Sequence, residues 1–185
     1  RRHGMSVWGA ARGCWLGVGI RGVAGGRTGY GYSGNLDPGK GRQAARVAAY
    51  IAKGPANIEK TALEDAGKRN LYPVLTAPTE TSLAERVDLV KRAEKAARAA
   101  DPRVFQVQAS YVDNLRHVLV ATSDGALSTD RQAMARIGVS ALAREGSGTP
   151  RRGCSGGGGR VSRDFFLHAK TPEQFAEEIE RGAGG

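Results

Sequence analysis

Three histidines, two cysteines and 18 acidic residues are the side chains here that could move protons, hold a metal or attack a carbonyl. Metal chemistry needs ligands at a repeat that brings them together, such as two histidines one helical turn apart. His3, His117 and His168 are scattered, and none has a second His or an acid at that repeat. His117 falls inside an alternating run and His168 in a loop behind the aromatic pair Phe165-Phe166, so both read as packed or solvent-facing imidazoles. Cys14 and Cys154 have no near partner, and they are expected as buried or half-buried free thiols rather than as a disulfide. Asp124 and Asp130 flank a turn, where Asp serves the backbone. Gly17-x-Gly19 lies in a strand pattern with no helix directly behind it, which predicts a bulge or close backbone approach rather than a phosphate loop. The sequence holds no nucleophile elbow, no Walker loop and no redox cysteine pair. It therefore offers no catalytic and no metal-ligating residue.

Backbone chemistry is what remains. Gly156, Gly157, Gly158 and Gly159 are bracketed by Arg151, Arg152 and Arg160. Successive glycines cost conformational entropy and give no packing in return, so the run needs a reason. It can be a flexible linker, although linkers are usually richer in Ser. It can be a bulge, or a place where another backbone comes very close. It can also be a bare strand edge that takes up an extended peptide substrate through main-chain hydrogen bonds.

The elements around this run follow from period and punctuation. Phe105, Val107, Ala109 and Tyr111 alternate with Gln106, Gln108 and Ser110, the pattern of a strand with one dry face. Asp113-Asn114 predicts a break, with a second strand over Leu115 to Ala121. Ser123-Asp124-Gly125 predicts a turn. A further run sets Ala133, Ala135, Ile137, Val139, Ala141 and Ala143 on one side and Gln132, Arg136, Ser140 and Arg144 on the other. Residues 145–150 turn the chain again into the segment that ends in the glycines. Three or four strands joined by short turns make an antiparallel meander. Ahead of it, Leu16, Val18 and Ile20 alternate, Ala24-Gly25-Gly26-Arg27 turns, and residues 28–32 return, which predicts a hairpin.

Helices are signalled by their caps. Asp37-Pro38 supplies an N-cap and a first-turn proline, with an apolar stripe of Ala44, Val47, Ala48 and Ile51 and a stop at Gly54-Pro55. Residues 55–80 connect, with one short strand near Leu71 to Leu75. Ser82 and Glu85 form a capping box before Leu83, Val87, Val90, Ala93 and Ala97, and Asp101-Pro102 ends that helix. Its Lys91, Arg92, Lys95 and Arg98 are expected in solvent. Thr171-Pro172-Glu173-Gln174 opens a last helix through Phe175 and Ile179. The fold class is α+β: an antiparallel meander with helices packed on one face.

The formal charge of +10 is uneven. Residues 1–54 hold nine Lys/Arg against one acid, residues 55–102 balance eight against eight, and residues 103–185 hold eleven against nine. The excess is dispersed among glycines and forms no basic helix face or aromatic-lined groove, so nucleic acid is not the expected partner. A basic RNA- or DNA-binding module is the competing reading, and steep loss of binding with salt would mark it. No apolar window is long enough for a membrane helix, and the chain is expected in the cytoplasm.

The segments ADPRVFQVQASYVDNLRHVLVATSDG, RIGVSALAREG and RRGCSGGGGR with Phe165-Phe166, together with the hairpin LGVGIRGVAGGRTGYGY, resemble the TldD/PmbA family of metalloproteases, on its TldD branch. The resemblance covers residues 15–170 as an N-terminal domain; residues 1–14 are an unmatched lead-in and 171–185 the start of a connecting helix, with truncation or a shifted frame expected at both ends. It implies a zinc site in a separate C-terminal domain, a TldE/PmbA-type partner subunit, and cleavage of extended peptides in an enclosed chamber. The family's His-Glu-x-x-x-His signature with its later Cys does not occur in this chain. Zinc is thus expected in the full-length family protein and not here.

Overall fold

The alternating runs of the second half become strands of one sheet in the computed structural model, which describes residues 9–53, 61–67 and 71–183. Contacts divide the chain into two compact units, one within Val7–Ala62 and one within Leu63–Gly185.

In the smaller unit, β1 (Val18–Ala24) and β2 (Arg27–Ser33) form the expected hairpin. Its turn uses positive φ at Gly25 and Gly26, 53° and 76°, which glycine adopts without cost. Gly19 lies in β1 beneath the Tyr30 ring with no register shift, so it marks neither a bulge nor a backbone approach, and a side chain comes close to it instead. α1 (Pro38–Ala52) starts where the cap predicts, with the Asp37 carboxylate accepting from the Lys40 N–H at 2.9 Å. Its inward face differs from the expected stripe. Ala44, Ala48 and Ala52 are buried, whereas Val47 and Ile51 are 45% and 49% exposed. The helix lies directly on β2: a Cβ at Gly29 or Gly31 would strike the carbonyls of Ala48 or Ala44. At that separation only alanine fits between the two backbones. The helix closes on Lys53 in the left-handed region; Gly54-Pro55, the expected stop, lie outside the described residues. His3 does too.

The larger unit runs β3 (Glu64–Asp65), a 3-10 turn (Pro78–Glu80), α2 (Leu83–Ala100), β4 (Val104–Ala121), β5 (Ala126–Ala143), β6 (Arg151–Gly159), α3 (Arg163–His168) and α4 (Pro172–Ala183). β4, β5 and β6 are the antiparallel meander; β4 takes one edge of β5, and β6 and the short parallel β3 share the other. The turns stand where the sequence puts them, with Gly125 at φ 95° and Gly146 at φ 54°. The inward row Ala133, Ala135, Ile137, Val139 and Ala141 is buried as its alternation predicts. Leu89, Ala93 and Ala97 of α2, Phe166 of α3, and Phe175, Ala176 and Ile179 of α4 close over that row on one face. α4, which the sequence sets apart as a connecting helix, thus contributes to this core.

Several local expectations change. Asp113-Asn114 is no break, and β4 runs 18 residues without interruption. Asp113 is held by Arg86 of α2, Nε to Oδ2 at 2.8 Å, so its carboxylate is satisfied inside the strand. Phe105 leaves the dry face because a bulge between Val104 and Gln106 shifts the register, and it lies instead under the Arg144 guanidinium. Leu71 to Leu75 form no strand; the short strand is Glu64–Asp65. The Ser82–Glu85 capping box is present, but Leu83 is exposed. Arg92 is not a free surface cation, since it grips Glu173 of α4 with two hydrogen bonds of 2.7 and 2.9 Å. His168 ends α3 rather than sitting in a loop. Cys14 and Cys154 are free but exposed, not half-buried.

Candidate peptide-binding edge

Gly156 to Gly159 are not a linker. They are the last residues of β6 and pair in register with β5, Gly156 with Gly138, Gly157 with Ile137, Gly158 with Arg136 and Gly159 with Ala135. The reason for glycine differs along the run. A Cβ at Gly156 would stand 2.7 Å from the Ile137 carbonyl, and one at Gly158 would strike the Ala135 carbonyl. Gly158 also has φ of 156°, which an L side chain rarely adopts. A Cβ at Gly157 would stand 2.9 Å from the Phe175 ring, and one at Gly153 would stand 2.5 Å from Ile179. Only at Gly159 is there open space. Most of the run is therefore fixed by close approach, of β5 in the plane of the sheet and of α4 beneath it.

α4 holds this strand from below. Phe175 lies under Gly157, Ile179 under Gly153, and between them the Ser155 hydroxyl donates to the Glu178 carboxylate at 2.7 Å. Lys170 donates to the same carboxylate at 2.6 Å, with its ammonium 4.3 Å from the Phe175 ring centroid. The seat is coupled to α2 by the Arg92–Glu173 pair. That guanidinium holds the Glu173 carboxyl at about 2, far below its ordinary value. Past the glycines, Arg160 reaches Asp130 at 3.1 Å and stacks on Tyr72 with its guanidinium 4.8 Å from the ring centroid. The Gln132 amide, followed by Arg160, lowers the Asp130 carboxyl. Arg151 and Arg152 at the other end are exposed.

The outer side of β6 carries no strand among the described residues. It presents main-chain N–H and C=O groups with little side chain around them, which suits hydrogen bonding to another extended backbone. Residue types that could do chemistry stand apart from one another among the described residues. His117 pairs across from Arg131 in β4, His168 ends α3, and Cys154 stands in β6. Among the described residues no three His, Cys, Asp or Glu side chains are grouped to hold a metal ion. The described residues do not fit a zinc site, and no catalytic step is derived for them. No described helix is long and apolar enough to cross a membrane, a statement that leaves strands aside.

Sequence reasoning found the glycines but missed the contacts that seat them, Ser155 within β6 and Phe175, Glu178 and Ile179 of α4 beneath it. A signal was present: Gly153, Ser155 and Gly157 are small at every second position, the repeat of one strand face pressed by a helix.

The family profile described as the PmbA/TldA metallopeptidase central domain matches residues 76–183. A metalloprotease TldD homolog of Buchnera aphidicola is 33% identical over 152 residues, covering 82% of this chain and 31% of its own length. The chain thus spans about a third of the curated relative it matches. Among solved structures, TldE from Thermococcus kodakarensis superposes with a TM-score of 0.56 at 22% identity, covering 87% of this chain and 36% of that one. A Thermotoga maritima protein described as a modulator of a DNA gyrase gives a TM-score of 0.63 at 20% identity, over 90% of this chain and 36% of that one. At these identities the two structures show the shared fold.

Proposed function

The chain belongs to the PmbA/TldD metallopeptidase family, and from that premise we propose that it is the substrate-receiving part of a TldD-type zinc metalloprotease. In this reading β6 lends its outer edge, Gly156 to Gly159 included, to an extended peptide. The peptide adds as a further strand, read through its main chain. The observation that carries the proposal is the bare outer edge of β6, seated on α4 yet paired on one side only among the described residues. Zinc and the groups that cleave the peptide belong to the rest of a full-length polypeptide. A TldE-type subunit completes the substrate chamber, and the assembly works in the cytoplasm.

Main-chain recognition has a specific test. A strand added to an edge bonds through alternate residues. An unfolded peptide N-methylated at alternate positions of one parity is expected to lose binding to the chain, and the opposite parity to keep it. Equal binding of both would remove the edge from the reading. For the assembly, a full-length TldD-type polypeptide co-expressed with a TldE-type subunit is expected to bind zinc and cut unfolded peptides. The 185-residue chain with the same subunit is expected to do neither, and cleavage by that pair but not by the subunit alone would show that bond-breaking groups lie in this chain.

A further inference from the structure

The sheet has a second face, turned away from its helices, and that face meets the β6 border. Gly153 and Gly157 of β6 lie against α4, so Arg152, Cys154, Gly156 and Gly158 point the other way by alternation. In β5, Arg152 pairs with Leu142 and Gly158 pairs with Arg136. The strand segments that make up this part of the sheet, residues 106–112, 136–142 and 152–158, hold no carboxylate. They hold two guanidinium groups, Arg136 and Arg152, and both are exposed. Among the described residues neither is in an ion pair. The acids that flank the three segments in sequence are engaged elsewhere. Asp130 is held by Arg160 at 3.1 Å, and Glu145 lies 3.7 Å from Arg103. The outer face beside β6 is therefore cationic and unneutralised.

The spacing of the two cations sets a pattern that a bound strand would have to match. Arg152 and Gly158 are six residues apart, about 20 Å along an extended chain. A peptide added at the border would lie about 4.8 Å from β6 and send alternate side chains to each face. Its residue opposite Arg152 has that guanidinium as a direct cross-strand neighbour. Its residue opposite Gly158 meets no side chain in β6, and Arg136 stands one strand further in, about 10 Å from the peptide backbone. An arginine and a glutamate side chain together span that gap, because glycine puts nothing between them. Opposite charges attract across strands and like charges repel. The α4 side has no such bias, since there the Glu178 carboxylate and the Lys170 ammonium offset each other. We propose that the β6 border selects peptides with acidic side chains six residues apart on the outer face, one beside Arg152 and one reached by Arg136 across Gly158. The inference rests on the reading of β6 as the peptide edge and adds the class of substrate to it.

Two unfolded peptides of equal composition and net charge separate this pattern from general attraction to a basic chain. In the first, two Glu stand six residues apart. In the second they stand five apart, which turns one of them to the α4 side. By fluorescence anisotropy the first is expected to bind the 185-residue chain about threefold more tightly than the second. Arg136→Glu and Arg152→Glu, both at exposed positions, should each weaken the first peptide about tenfold. Each should also strengthen binding of a peptide with two Lys in the same places. N-methylation at alternate positions of one parity should still abolish binding to both variants, which would show that they fold and pair through the main chain. Equal binding of the two Glu peptides overturns the proposal, and leaves the edge standing if the parity effect remains. So does a variant that keeps the parental preference for Glu over Lys. Loss of the parity effect in the parent chain takes down the edge reading and this proposal with it.

Discussion

β4 and β6 border the same three-stranded meander, and they solve opposite problems. β4 is 18 residues long, is rich in side chains on both faces of the sheet, and leaves Val112, Leu119 and Val120 exposed. β6 is nine residues long and ends in four glycines. On the β4 side, α2 is tied to the strand by the Arg86–Asp113 ion pair, and Tyr111 packs edge-on against Phe166. On the β6 side, the Phe175 and Ile179 side chains of α4 press against the glycine backbone so closely that a Cβ at Gly157 or Gly153 would stand 2.9 or 2.5 Å from them. The difference teaches what side chains contribute at an edge. Where they are present they choose a register and a partner. Where they are missing, the glycines themselves can hold a neighbouring chain only through its peptide groups.

The largest break in that contrast should come from the seat of β6. Phe175→Ala is expected to cost about 3–5 kcal/mol by leaving a cavity under Gly157. Denaturant unfolding should show the loss, and amide exchange should rise in β6 well before it rises in β4 and β5. Uniform exchange across all three strands would mean that the two borders are not independent. Next comes Gly158→Ala, expected to destabilise by about 3 kcal/mol, because its methyl would meet the Ala135 carbonyl at a backbone angle alanine avoids. Gly159→Ala is its control and should change stability by less than about 0.5 kcal/mol, since nothing lies within 4 Å of that position.

On the β4 side the effects are smaller. Ser82→Ala removes the capping hydroxyl of α2 and should cost about 1 kcal/mol, with exchange rising first in the opening turn of that helix. The Glu173–Arg92 pair sharpens the comparison further, since it joins the helices under the two borders. Arg92 holds the Glu173 carboxyl at about 2 against an ordinary 4.5. An acid lowered by folding stabilises the native state above its unfolded value, and that contribution fades as pH falls from 4.5 toward 2. Glu173→Gln should therefore be less stable than the parent at neutral pH by under about 1 kcal/mol. Denaturant midpoints of the two should converge as the pH approaches 2. A gap that persists at that acidity would assign the effect to something other than the ion pair.

Much of this fold was legible where neighbouring residues decide it. Asp37-Pro38, the Ser82–Glu85 box, the Gly25-Gly26 turn and the strict alternation from Ala133 to Ala143 each act within a few residues. Asp113-Asn114 misled for the opposite reason: the group that lets Asp113 stay in a strand is Arg86, 27 residues away. Phe105 was misplaced because alternation carries no information about a bulge. Val47 and Ile51 look like the natural inward face of α1 until the glycines of β2 bring the backbones so close that alanine is favoured.

The candidate site divides in the same way. The glycine run was visible at once, as was the lack of a metal signature, because residue types and spacings are properties of the chain alone. Whether that run was linker, bulge or edge turned on contacts with Ile137, Ala135, Phe175 and Ile179, distant in sequence from most of it. Sequence by itself determined the local elements, their caps and turns, and the family, since each rests on the order of residues. Tertiary structure alone decided which strands border the sheet and why β6 must be glycine, because pairing and close approach are made between segments that no local pattern connects.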